Sequence, residues 1–269
     1  MAALKKKVAP ERLNFFKAGL IFISFIVTAA LVMAIAALFM VPDVKDVWES
    51  LQSEEMIFSL KLSLWTGLLS TALVMVFALP IGYSLSRFQF TGKGFVKTII
   101  DLPVAFPELV LGLCLLLLFG NTFVGKFFSA LGLNFIFTTQ GIVAAQFFTA
   151  LPYACRIMKS TFDYINPRME FVSRSLGYSM FETFMNVSVP LARNGILAST
   201  VIAFARCIGT FGTVLILAGG TYMKTEVLPI TLYLNISYGN MGMALTSGIV
   251  LMVVSFAAIF VFEQTEVSL

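Results

Sequence analysis

Long uncharged runs alternate with short charged ones along this chain of 269 residues. Ala18 to Val41 carries no charge, and neither does Leu62 to Ser86. A third, less regular run begins near Leu102 and reaches Phe119, with Pro103, Pro107 and Glu108 in its first third. The fourth covers about Phe135 to Cys155, the fifth about Asn194 to Leu217 with Arg206 inside it, and the sixth lies within Gly239 to Phe262. Each is near the ~20 residues a helix needs to cross a ~30 Å hydrocarbon core. The pattern predicts an all-α integral membrane protein with six transmembrane helices in one transmembrane domain, residues 18–262. That domain is flanked by a basic segment, 1–17, and a short tail, 263–269.

The polar stretches add an orientation. Lys and Arg number five before the first run, then two, three, one, five and one in successive connections, with Arg206 left inside a run. Positive charge favours the cytoplasmic side, so this alternation predicts both termini inside and places the loop 157–193 in the cytoplasm. The connection from Pro42 to Lys61 is acidic (Asp43, Asp46, Glu49, Glu54, Glu55) and is expected outside. The first apolar run exceeds the roughly 7–15 residues of a signal-peptide core, so an uncleaved first span is expected.

Composition removes several function classes. At 59% hydrophobic and 12% charged, the chain lies outside soluble globular compositions. It has 28 Phe but only 2 Trp, and no continuous basic stripe, which argues against nucleic acid as a partner. The absence of His excludes His bases, His metal ligands and the usual intramembrane metalloprotease motif. Cys114, Cys155 and Cys207 lack metal-ligand spacing and read as small buried hydrophobes, so no metal site is expected. Gly92-Lys93-Gly94 lacks the flanking residues of a phosphate loop.

The most structured polar stretch runs from Asn166 to Pro190. Asn166 can cap a helix beginning at Pro167, Gly177 is a left-handed stop, and Ser179 with Glu182 forms a capping box for a second helix. Met180, Phe181, Phe184 and Met185 then recur at helical spacing. Such an apolar face suits either a helix lying on lipid headgroups or a docking element for a soluble partner.

Gly177, nine intervening residues, Val187, one more, then Val189-Pro190 resembles the cytoplasmic "EAA" signature loop of type I ABC importer permeases. Phe171-Val172-Ser173 stands where the Glu-Ala-Ala triplet falls, with the acid displaced by one to Glu170. Arg174-Ser175-Leu176-Gly177 resembles the Ala-Arg-Thr-Leu-Gly run of the molybdate, tungstate and sulfate branch. The run from Asp101 to Gly112 is similar to that branch's third span, with Glu108 in place of a second proline. Phe204 to Thr213 resembles its Arg-x-x-Gly-Glu-Phe-Gly-Ala run, with Thr210 where the acid is expected. Thr225 to Tyr233, with Leu228-Pro229, also resembles the family, and the likeness spans roughly 55–262.

The resemblance implies an ABC type I importer permease fold in the plasma or inner membrane. It implies a homodimer, two ATPase subunits that hold the ATP and Mg, and an external binding protein. No cofactor is expected in this chain, and no catalysis. Coupling to the ATPase falls to Glu170, Arg174, Ser175, Leu176, Gly177, Met180, Phe181, Phe184 and Pro190. The translocation pathway falls to Glu108, Arg206, Gly209, Thr210, Phe211, Gly212 and Thr213. For Arg206, near mid-membrane by residue count, two roles stay open: tuning an anion path, or pairing with an acid such as Glu108. The small residues after it suit either an oxyanion or close helix packing. The expected cargo is molybdate or tungstate, with sulfate as the alternative. A secondary transporter, a channel and a membrane-embedded enzyme are the competing classes.

Overall fold

The computed structural model describes residues 15–120 and 122–267, with side chains from 17 to 260 apart from 121. Most of the basic segment 1–17 and the end of the tail, 268–269, lie outside the described residues. Described residues form helices and connections, with no strand among them. The chain divides into two compact units, 1–43 and 44–269. The described residues of the first hold one helix, α1 (Phe15–Met40), whose 26 residues are uncharged after Lys17. At 1.5 Å per residue it is about 39 Å long, enough to cross a bilayer.

The second unit starts with the short amphipathic α2 (Val44–Gln52) and the long α3 (Glu54–Arg87), which Ser53 caps by accepting from the Met56 N–H. Then come α4 (Lys93–Asp101), a 3₁₀ turn over Leu102–Val104, α5 (Glu108–Gly120), α6 (Phe123–Ala130) and α7 (Thr139–Tyr164). The loop sequence within 157–193 gives α8 (Arg168–Ser175), α9 (Met180–Thr183), a π-helical turn (Phe184–Ser188) and α10 (Val189–Leu191). α11 (Arg193–Gly209), α12 (Gly212–Ala218), α13 (Leu228–Tyr238) and α14 (Met241–Val267) complete it.

The core is a seam between α3 and α7. Ser59, Ser63, Gly67, Ser70, Val74, Ala78 and Gly82 recur every three or four residues on α3, and all are buried, with Gly67 facing Ile208 of α11 and Ser63 accepting from the Leu228 N–H of α13. Small side chains let two helix backbones approach closely, which is how helices adhere where lipid offers no hydrophobic drive. At Gly82 a Cβ would lie 2.5 Å from Met158 Cβ and 2.9 Å from the Lys159 N, so only glycine fits without moving α7. Polar groups in the seam are mutually satisfied: Ser70 Oγ donates to Gln146 Oε1 at 2.8 Å, and Gln146 Nε2 donates to Thr66 Oγ1 at 3.2 Å.

Two predicted spans are broken. Among the described residues α1, α3, α7 and α14 are long and apolar enough to cross a membrane, and counting each of two bent pairs as one span gives up to six. The third run turns through 114° between the α4 segment and α5, where Ala105, Phe106 and Pro107 interrupt the helix. The residue before a proline is disfavoured in the α region, which fits the interruption at Phe106 before Pro107, whereas Pro103 is accommodated within the 3₁₀ turn with Leu102 still helical. The fifth run ends at Gly209, leaves the helix at Thr210 and Phe211, and resumes as α12. α11 also meets the preceding loop helix at 74°. Cys155 and Cys207 are buried as expected, whereas Cys114 is exposed.

Candidate coupling and translocation sites

The loop between α7 and α11 forms from the local signals in its sequence. α7 continues to Tyr164, so Arg156 to Asp163, read as loop, form its last turns. Asn166 Oδ1 accepts from the Arg168 N–H at 3.0 Å and starts α8. At its other end the Gly177 N–H reaches Arg174 O and the Tyr178 N–H reaches Ser173 O, a paired closure that needs the left-handed φ of 97° at Gly177. Ser179 and Glu182 then cap each other reciprocally, at 3.2 and 2.7 Å, and open α9. The second loop helix is not continuous, because five residues adopt π geometry, a form that recurs at functional sites.

α8 is an amphipathic helix turned inside out. Its buried residues are Glu170 and Ser173, while Met169, Phe171 and Val172 are exposed. Phe171 is 64% exposed, Leu176 75% and Phe181 71%, and Met180 and Met185 extend the same open apolar rim. Arg174, Ser175 and Pro190 are also exposed, with Ser175 Oγ donating to Phe171 O. Phe184 departs from the expected face. It packs inward, its ring centroid 4.7 Å from that of Tyr83 and 6.4 Å from that of Phe162.

Glu170 is likewise turned inward. Its Oε1 accepts from Arg87 Nε at 2.9 Å and from Ser188 Oγ at 2.9 Å, and its Oε2 accepts from Tyr83 Oη at 3.3 Å. Arg87 Nη2 also donates to Ile165 O at 2.9 Å, at the end of α7. Above this cluster lies a cleft of about 370 Å³, walled by Tyr83, Arg87, Phe171, Arg174 and Met180. Sequence reasoning missed Arg87, Tyr83 and Ser188. The available signal was an arginine directly after the uncharged run Leu62–Ser86.

The pathway candidates converge in part. Glu108 begins α5 and caps the break before α12: its Oε2 accepts from the Phe211 N–H at 3.2 Å and the Gly212 N–H at 2.9 Å. Thr213 Oγ1 donates to Glu108 O at 3.0 Å and receives Thr149 Oγ1 at 3.3 Å. A Cβ on Gly212 would stand 2.9 Å from Glu108 Cβ, so glycine permits this close approach. Arg206 does not join them. It lies in the last turn of α11, exposed, with its guanidinium carbon 4.2 Å from the centre of the Tyr153 ring. Thr210 Oγ1 bonds back to Arg206 O, and Gly209 faces open space. The hydroxyls and N–H groups expected to meet an anion are thus engaged within the chain at 210–213. No cluster able to hold a metal ion occurs among the described residues.

The sequence matches the family described as binding-protein-dependent transport system inner membrane component over residues 76–265. The chain is a member of that family. It is a multi-pass inner-membrane permease. This permease is 32% identical over 221 residues to the molybdate/tungstate transport system permease protein WtpB of Pyrococcus furiosus, covering 82% of each chain. WtpB of Methanocaldococcus jannaschii is 31% identical, over 78% of this chain and 81% of its own. The sulfate transport system permease protein CysT of Escherichia coli is 28% identical, over 70% and 69%. In fold, the permease is similar to a chain of a bacterial alginate ABC transporter in complex with its periplasmic protein. The TM-score is 0.74 at 15% identity, over 95% of this chain and 96% of that one. It is also similar to a chain of the MetNI methionine ABC transporter, with a TM-score of 0.57 at 18% identity over 80% and 97%.

Proposed function

We propose that this permease carries molybdate or tungstate inward as part of an ATP-driven importer. Two copies of the chain form the pathway, with both termini in the cytoplasm. Two separate ATPase subunits hold ATP and Mg and seat on the loop at Gly177, while an external binding protein delivers the dianion. The permease itself hydrolyses nothing. The observation that carries the coupling half of this reading is the bare apolar rim of Phe171, Leu176 and Phe181 on a loop whose polar side faces inward. No further segment of the loop covers these side chains. Burying each would contribute about 1.5–3 kcal/mol toward docking, before association costs. The cargo rests on the resemblance to WtpB, and the likeness to CysT keeps sulfate as the second reading.

The chain, expressed with an ATPase and a binding protein from the same organism, should retain the ATPase through purification. In proteoliposomes the complex should take up labelled molybdate only with ATP, and tungstate should compete better than sulfate. Uptake without ATP would assign the chain to passive transport, and stronger competition by sulfate would assign it the second cargo.

A further inference from the structure

The inward face of α8 has no apolar adhesion. Both of its buried residues are polar, and every large apolar side chain it carries is on the open side. α8 packs on α9 and the π-helical turn, and Ser173 meets Thr183 there at 3.1 Å. Its polar tie to the membrane helices is Glu170. One carboxylate and one guanidinium together join four elements: α3 through Tyr83 and Arg87, the end of α7 through Ile165 O, α8 itself, and the π-helical turn through Ser188. Both charged side chains are nearly buried, at 11% and 12% exposure, where an ion pair is weakly screened and geometrically fixed. The π turn supplies part of this geometry, since it carries Ser188 to the carboxylate, and the rings of Tyr83 and Phe184 pack beside it.

We propose that Glu170 is a positioning residue for transport: through Arg87 it passes movement of the cytoplasmic loop into α3, and it does not itself touch the ATPase. A push on the apolar rim of α8 reaches the body as a load on this ion pair. From there it enters the α3–α7 seam, whose close glycine contact at Gly82 moves the two helices together. The acid one place ahead of the expected triplet is therefore an internal strut. This inference rests on the reading of the loop as the ATPase seat.

The test uses the full complex with ATPase and binding protein in proteoliposomes, comparing Glu170→Gln, Arg87→Gln, the double variant and Phe181→Glu. Transport per ATP hydrolysed should fall about tenfold in each strut variant, a size typical of coupling free energies. The double variant should be no worse than either single, because both remove the same pair. The ATPase subunits should stay bound in all three. Phe181→Glu should instead release them. If Glu170→Gln releases the ATPase, the residue is a docking contact and the inference is overturned. It is equally overturned if transport per ATP is unchanged, or if the two losses multiply. Where a single variant fails to fold, the double, which leaves no unpaired charge, is read alone: a released ATPase or unchanged transport per ATP in it overturns the inference, and a fall of about tenfold with the ATPase retained supports it. If Phe181→Glu keeps its ATPase, the loop is not the seat, and that failure is distinct from failure of the strut.

Discussion

Gly177 separates two kinds of requirement for glycine. Nothing lies within 4 Å of a Cβ placed there, so space is not the constraint; the φ of 97° is. Gly177→Ala should cost about 1–2 kcal/mol through backbone strain alone, read as a lower melting temperature of the purified protein. Gly177→Asn should cost less, because Asn tolerates the left-handed region. A second residue-scale effect comes from Glu226, in the connection between α12 and α13. It is 1% exposed. Burial, and next the negative charge of Glu55, push its carboxyl up from an ordinary 4.5 to about 7. The folded protein then binds a proton that the unfolded chain releases, so its stabilisation is fully present below pH 4.5 and is lost as pH rises through about 7. Melting temperature should fall across that window, and Glu226→Gln should flatten the decline. A wild-type decline that persists in the variant would show that another group is responsible.

At the scale of elements, the α3–α7 seam is the part most sensitive to added volume. Gly82→Ala must displace Met158 and the backbone at Lys159, since the new Cβ would stand 2.5 Å from one and 2.9 Å from the other. Overpacking of this kind costs about 1–3 kcal/mol. Unlike Gly177→Ala, it should also change transport, because the two helices would be pushed apart. The comparison is an uptake assay at matched folded protein. Gly94→Ala, on α4 with open space around it, serves as the neutral control.

Over the whole molecule, the signals that could be read in the sequence were those that act within a few residues. The uncharged runs located the apolar helices, and Asn166, Gly177, Ser179 and Glu182 marked the loop helices at the positions where they form. What was not legible depends on contacts across distance. Glu108 was one candidate partner for Arg206, on depths counted along straight helices. The breaks at Ala105–Pro107 and Thr210–Phe211 instead deliver its carboxylate to two backbone N–H groups, and leave Arg206 on Tyr153. Phe184 fell on the apolar face by helical spacing, but the π-helical turn changes the local register and its ring faces inward. Arg87 and Glu170 lie 83 positions apart, and no periodicity links them. The burial of Glu226 was masked by its position among Gly and Lys residues that ordinarily mark open loops.

The bare rim of α8 and α9 also bears on how the chain must be made and handled. Detergent or lipid shields a belt around the apolar helices, yet Phe171, Leu176 and Phe181 belong to a loop between them and are exposed in the folded chain; if the loop seats the ATPase as proposed, they stand outside that belt. Large exposed apolar patches are adhesive toward one another as well as toward a proper partner. Copies synthesised in excess of whatever covers this rim are therefore prone to clump. Yield should follow the supply of the covering subunit more closely than the strength of the promoter.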